Sequence, residues 1–196
     1  MTISFLYAVL LAISFVVAVN SFILFQVARR FQLQNPAMLE QKLLAAETPL
    51  PEFKGKMVVN DKPIHRDDFI GKPGVIVFIG ARCTMCQQKM PEFFEVAEKS
   101  SAIGVDFWVV GLDSLKRILP IVSNTPLHRF TVNLLKSSKK TLNPSRSSPI
   151  YIFYDHEGIV KTSNIVGDEN WQGFLAQLRN EESEDNHSKE PLRASA

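Results

Sequence analysis

The first 28 residues carry no Asp, Glu, Lys or Arg. From Ile3 to Val27 the chain reads ISFLYAVLLAISFVVAVNSFILFQV, interrupted only by Ser4, Ser14, Asn20, Ser21 and Gln26. A bilayer core is crossed by about 20 apolar residues in a helix. A lone segment in lipid can satisfy its backbone groups only as a helix. Residues 1–28 are therefore expected to span a membrane once. A cleaved signal peptide would show a basic n-region, a shorter apolar core and a small-x-small cleavage site. No Lys or Arg precedes this run and Val19-Asn20-Ser21 is a poor site, so the segment reads as an uncleaved anchor.

The remaining residues have the charge of a globular domain. All 42 charged side chains fall in residues 29–196, 25% of those 168, which is the usual share. Lys and Arg number 22 against 20 Asp and Glu, a net charge of +2. So small an excess does not suit a nucleic-acid partner, which calls for a basic patch or stripe. Two cysteines exclude a small scaffold stapled by disulfides.

Residues 29–47 read as a linker. Asn35-Pro36 offers a capping side chain and then a proline suited to a first helical turn, which predicts a short helix near Ala37–Ala46. Residues 181–196 read as a disordered tail. From Asn180 onward the chain has five acids, two bases and almost nothing apolar to bury.

Between them, residues 48–180 form the folded domain. Val75–Ile79 is an apolar run bounded by Gly74 and Gly80, the pattern of a strand buried on both faces. Val105–Leu112 and Ile150–Tyr154 read the same way, and Ile159–Asn164 returns after the turn Asp155–Gly158. Helices are predicted through Pro91–Lys99, from Asp113-Ser114 toward Leu119 with Pro120 closing it, and over Glu169–Leu178 under an Asp168 cap. Early strands alternate with helices, and a hairpin plus helix closes the chain. The fold class is therefore α/β, a mixed sheet with helices on both faces. Residues 124–148 give no clear pattern.

Cys83-Thr84-Met85-Cys86 stands where a buried strand ends and a helix begins. A helix start presents unpaired N–H groups and the positive end of a dipole, both of which favour a thiolate. Arg82 adds positive charge, so the pKa of Cys83 should fall below the free value of roughly 8.5. Cys86, one turn in, is placed to resolve a mixed disulfide formed by Cys83. A structural disulfide gains little from so short a loop. A structural zinc site would need two more ligands, and His65, His128, His156 and His187 are not paired at ligand spacing. A metal (copper) chaperone using the two thiols and a distant histidine, or two inert buried cysteines, remain as alternatives. Ser148-Pro149 precedes the strand Ile150–Tyr154. Proline is allowed at a strand's first position, and an X-Pro bond there can be cis. Facing the cysteines, it would offer the Ser148 backbone to a substrate strand.

The stretch from Pro51 to Leu178 resembles the thioredoxin superfamily, in its membrane-anchored TlpA/ResA-like branch. The resemblance rests on Pro51-Glu52-Phe53, Asn60-Asp61-Lys62, Gly71-Lys72-Pro73, the Cys-Thr-Met-Cys site, Pro91 five residues after Cys86, Ser148-Pro149 and Asp155-His156-Glu157-Gly158. The anchor, the linker and Asn164-Ile165-Val166-Gly167 also resemble MauD, an accessory protein of methylamine dehydrogenase maturation. The family implies a thioredoxin-like sheet and a thiol-disulfide oxidoreductase. Its catalytic residues would be Cys83 and Cys86, and Ser148 and Pro149 would bind substrate. Arg82 is a candidate modifier of the Cys83 pKa. No metal and no cofactor beyond a redox-active Cys83–Cys86 disulfide are expected. The partners would be a client protein with cysteines and an upstream thiol-disulfide donor or acceptor. A non-catalytic maturation factor is the other alternative.

Three positions depart from the family pattern. Arg82 replaces a tryptophan, Val77 replaces a buried acid, and Lys89 stands where many ResA-like reductases have glutamate. Peroxiredoxins, a related class, place threonine three residues before the reactive cysteine, where this chain has Gly80. The resemblance implies a single-pass membrane protein with an extracytoplasmic catalytic domain, where disulfides persist. Arg29 and Arg30, directly after the anchor, argue for the cytoplasmic side.

Overall fold

The computed structural model describes residues 2–33 and 43–188. The chain divides into two compact units, one ending at Lys42 and one starting at Leu43.

The first unit contains α1, Thr2–Leu33. Its segment Val9–Ala28 is long and apolar enough to cross a membrane. Leu11, Phe15 and Leu24 are exposed on it. Ser14, one of the polar interruptions, donates its hydroxyl to the Leu11 carbonyl at 2.9 Å. Such a bond inside the helix lowers the cost of placing a hydroxyl in lipid.

The second unit is built on one seven-stranded sheet. In chain order its elements are β1 (Lys54–Met57), β2 (Pro63–His65), β3 (Gly74–Ile79), α2 (Thr84–Lys99), β4 (Asp106–Gly111), α3 (Leu115–Val122), β5 (Thr131–Leu134), α4 (Lys136–Leu142), β6 (Ile150–Tyr154), β7 (Val160–Ile165) and α5 (Glu169–Ser188). The spatial order is β2-β1-β5-β4-β3-β6-β7. β3, β4 and β5 are parallel, while β6, β7, β1 and β2 add antiparallel pairs at the two sides.

β3 lies inside the sheet between β4 and β6, and all six of its residues are buried. The period-2 alternation of a strand sends Val75, Val77 and Ile79 to one face and Ile76 and Phe78 to the other. On the first face they meet Phe93, Val96 and Ala97 of α2, Ile118 and Val122 of α3, and Trp171 and Leu175 of α5. On the second they meet Leu50, Phe53, Phe69 and Leu142. This is the thioredoxin-like arrangement, a mixed sheet flanked by helices. Trp171 is fully buried, with its ring against Phe93, Tyr151, Phe153 and Phe174. Its Nε1–H donates to Glu92 at 2.9 Å, tying α5 to α2. Asp168 caps α5 as the sequence suggests, accepting from the Trp171 N–H at 2.9 Å and from the Tyr151 hydroxyl at 2.8 Å.

Several elements differ from the sequence expectation. Residues 37–42 of the predicted linker helix lie outside the described residues, and Leu43–Ala46 is not helical. Leu43 and Leu44 pack on the second cluster, and Pro49 bridges to Ile159. Burial and strand pairing override helix propensity there. Pro120 lies inside α3 and does not end it. The helix tolerates the missing N–H because its one-sided apolar stripe, with Ile118 and Val122, is anchored in the core. α5 runs to Ser188, past the predicted end at Leu178 and through part of the stretch read as tail. No proline interrupts that run before Pro191. Residues 189–196 lie outside the described residues.

Trp171→Ala is expected to cost about 3–5 kcal/mol, the usual range for truncating a buried aromatic side chain. Denaturant unfolding of the detergent-solubilised full chain measures it, and a loss below about 1 kcal/mol would show that α5 is not locked by this ring.

Candidate active site

β3 delivers the site. The strand ends at Ile79, and Gly80–Arg82 turns the chain into α2. The Cys83 N–H donates to the Gly80 carbonyl at 3.2 Å, and the Gln87 N–H to the Cys83 carbonyl at 3.1 Å. Cys83 is the N-cap residue of α2, with extended backbone angles (φ −90°, ψ 102°). Capping side chains normally accept through oxygen. Here the Cys86 N–H donates to Cys83 Sγ at 3.0 Å.

Cys83 and Cys86 are joined in a disulfide, with their Cα atoms 5.2 Å apart. Their environments differ. Cys83 is half-buried, whereas Cys86 is 3% exposed and belongs to the apolar cluster under α2. Val77 is fully buried in that same cluster.

A shallow open depression lies over Cys83, lined by Gly80, Arg82, Thr84, Met85, Asp113 and Ser148. The Ser148-Pro149 bond is cis. The Ser148 carbonyl oxygen stands 3.3 Å from Cys83 Sγ. The structure thus brings Cys83, Cys86, Arg82 and Ser148 to one place, with Pro149 buried behind Ser148 at the head of β6. Gly80 makes this close approach possible. A Cβ added there would lie 2.8 Å from Ser148 Oγ and 3.4 Å from the Cys83 Cβ. Arg82 is exposed at the rim. Lys89, one turn beyond Cys86, is paired with Glu92 at 2.5 Å.

Asp113 is the residue that the sequence did not mark as part of the site. In the sequence Asp113-Ser114 presents itself as a helix opener only. Its carboxylate accepts the Ala81 N–H at 2.8 Å and lies 3.6 Å from Arg117 Nη1. It therefore pins the turn that carries Arg82 and Cys83. The available signal was its place just past the carboxyl end of a central parallel strand, where α/β sheets gather their sites. Among the described residues no group of three or more His, Cys, Asp or Glu is placed to hold a metal ion.

Known proteins share a family profile and the fold with this chain. The profile of the AhpC/TSA family matches residues 46–162. Among curated proteins none matches the chain. Solved structures do. The thioredoxin domain of a thiol-disulfide oxidoreductase from Bacteroides vulgatus has a TM-score of 0.58 at 20% identity, covering 69% of this chain and 99% of that one. A thiol:disulfide interchange protein from Bacteroides sp. has a TM-score of 0.58 at 20% identity, covering 76% of this chain and 96% of that one. A thioredoxin-family thiol:disulfide interchange protein from Chlorobium tepidum has a TM-score of 0.56 at 20% identity, with coverage of 70% and 97%. At this identity the likeness is one of fold.

Asp113→Ala removes the acceptor of a partly buried N–H, so a loss of about 1–3 kcal/mol is expected. Asp113→Asn keeps an acceptor oxygen and should recover most of it. Unfolding curves of the two variants check this, and equal losses would show that charge, not the bond to Ala81, is what matters.

Proposed function

The chain belongs to the AhpC/TSA family, and on that premise we propose that it is a membrane-anchored thiol-disulfide oxidoreductase acting on the cysteines of a client protein. The observation that carries this reading is the Cys83–Cys86 disulfide at the start of α2, with one sulfur half-exposed beside the Ser148 carbonyl and the other buried.

The asymmetry suits disulfide exchange. In the reduced chain the Cys83 thiolate attacks one sulfur of a client disulfide. A mixed disulfide forms, and the client's other sulfur leaves as a thiolate. Cys86 gives up its proton, attacks Cys83 Sγ and expels the second client thiolate. Two electrons have passed to the client, whose thiolates take up protons, and the chain is left with its own disulfide. Run backward, the same steps oxidise a client dithiol. The potential of the partner dithiol or disulfide protein sets the direction. Ser148 and Pro149 serve as the docking edge, because an extended client segment lying over Cys83 must pass the Ser148 backbone. Arg82 supports the thiolate from the rim.

A peroxidase reading within the same family has less support. Peroxiredoxins carry threonine at the position of Gly80, and here threonine could enter only by displacing the Ser148 hydroxyl. The metal-chaperone alternative has less support, since among the described residues no His, Asp or Glu is grouped with the two sulfurs. A maturation role like that of MauD rests on the resemblance of the anchor and of Asn164–Gly167. It would make the client a redox protein whose cysteines need pairing or rearrangement. The extracytoplasmic side rests on the resemblance to TlpA-like proteins, against Arg29 and Arg30.

Cys83→Ser should abolish exchange with a disulfide substrate such as insulin. Cys86→Ser should leave the first step intact and accumulate a mixed disulfide visible on non-reducing gels. Retention of full turnover by Cys83→Ser would contradict the assignment. For the membrane side, an impermeant thiol reagent applied to intact, reduced cells should label Cys83. Labelling only after lysis would place the domain in the cytoplasm.

A further inference from the structure

A second concavity, of about 250 Å³, is lined by Leu112, Lys136, Lys139, Lys140 and Arg146. Four of its five residues are cations. Among the described residues none of the four forms an ion pair with a carboxylate. Lys139 donates to the backbone carbonyl of Asp113 at 3.0 Å, while the Asp113 carboxylate is turned to Ala81 and Arg117. Lys136, Lys140 and Arg146 are exposed. Burial lowers the pKa of Lys139, with the nearby Asp113 charge opposing.

Two residues link the concavity to the redox site. Asp113 lines the depression over Cys83 and also holds Lys139. Arg146 lies two residues before Ser148 on the loop that carries the docking edge. That loop is built, not slack. The side chain of the fully buried Asn143 donates to the Ser147 carbonyl at 2.9 Å and accepts from the Ser145 hydroxyl at 2.8 Å. Arg146 itself is held at φ +54°, a left-handed conformation unusual for arginine.

We propose that this basic groove is the docking site for an acidic segment of the client protein, adjoining the client cysteine that reacts at Cys83. The proposal rests on the thiol-disulfide reading of the site and adds the chemistry of the partner. A client backbone lying over Ser148 carries its neighbouring residues across Arg146 and the three lysines. Clustered cations without carboxylate partners repel one another, and carboxylates arriving on a client relieve that repulsion. Charges at the rim of an interface act mainly on the association rate and its salt dependence.

The test uses the reduced, detergent-solubilised full chain in single-turnover reactions, so that no second reductant is needed. Three synthetic peptides share one disulfide and differ only in flanks of Glu, Gln or Lys. At low salt the Glu peptide should react about tenfold faster than the Gln peptide, and the Lys peptide should be slowest. Salt should erase the difference. The combined Lys136→Gln, Lys140→Gln and Arg146→Gln variant should bring the Glu peptide down to the Gln rate. Its rate with the uncharged hydroxyethyl disulfide should equal that of the unsubstituted chain, which shows that the site is intact. Equal rates for the Glu and Gln peptides, or an acidic preference that survives the substitutions, would overturn the groove and leave the exchange activity standing. No reaction with hydroxyethyl disulfide in the unsubstituted chain would bring down both.

Discussion

A sulfur atom does the work of a helix cap in this protein. Cys83 Sγ accepts the Cys86 N–H at the first turn of α2, so the reactive atom sits on the donors and the positive dipole end of the helix. A thiolate left there after reduction inherits the same N–H group. The bond exists only because β3, buried on both faces, ends at that point and aims the chain out of the sheet. Gly80 then lets the Ser148 loop approach within contact of the sulfur.

The two sulfurs face different media. Cys83 looks into an open depression, and Cys86 is packed among apolar side chains with Val77 below it. The carboxylate that the site does possess, Asp113, enters from β4 at the rim, where it holds the Ala81 N–H. In this chain the acid near the cysteines serves to position the loop.

The sequence was most readable where one physical demand dominates. The apolar run of β3 and the Cys-x-x-Cys motif that follows it locate strand, turn and helix together. Ser148-Pro149 is legible from the rule that proline opens but does not interrupt a strand. β1 and β2 are short and half-exposed, with Lys54, Lys56 and Pro63 among their few residues, so their local pattern is weak and tertiary pairing decides them. β5 and α4 fall in residues 124–148, where Thr131, Ser138 and Asn143 are buried polar residues that disguise a core segment. The Ser138 hydroxyl is needed by the Lys54 N–H, a partner 84 positions away. Asp113 was hidden for a similar reason, since its partner Ala81 is distant in sequence.

The account depends most on the state of one thiol. The pKa of Cys83 in the reduced full chain can be read from the pH dependence of its alkylation, with Cys86→Ser removing the second thiol. A value well below the free-cysteine figure of roughly 8.5 is expected from the helix-start position and Arg82. A value at or above it would mean that the cap does not stabilise a thiolate, and the exchange mechanism built on it would fail.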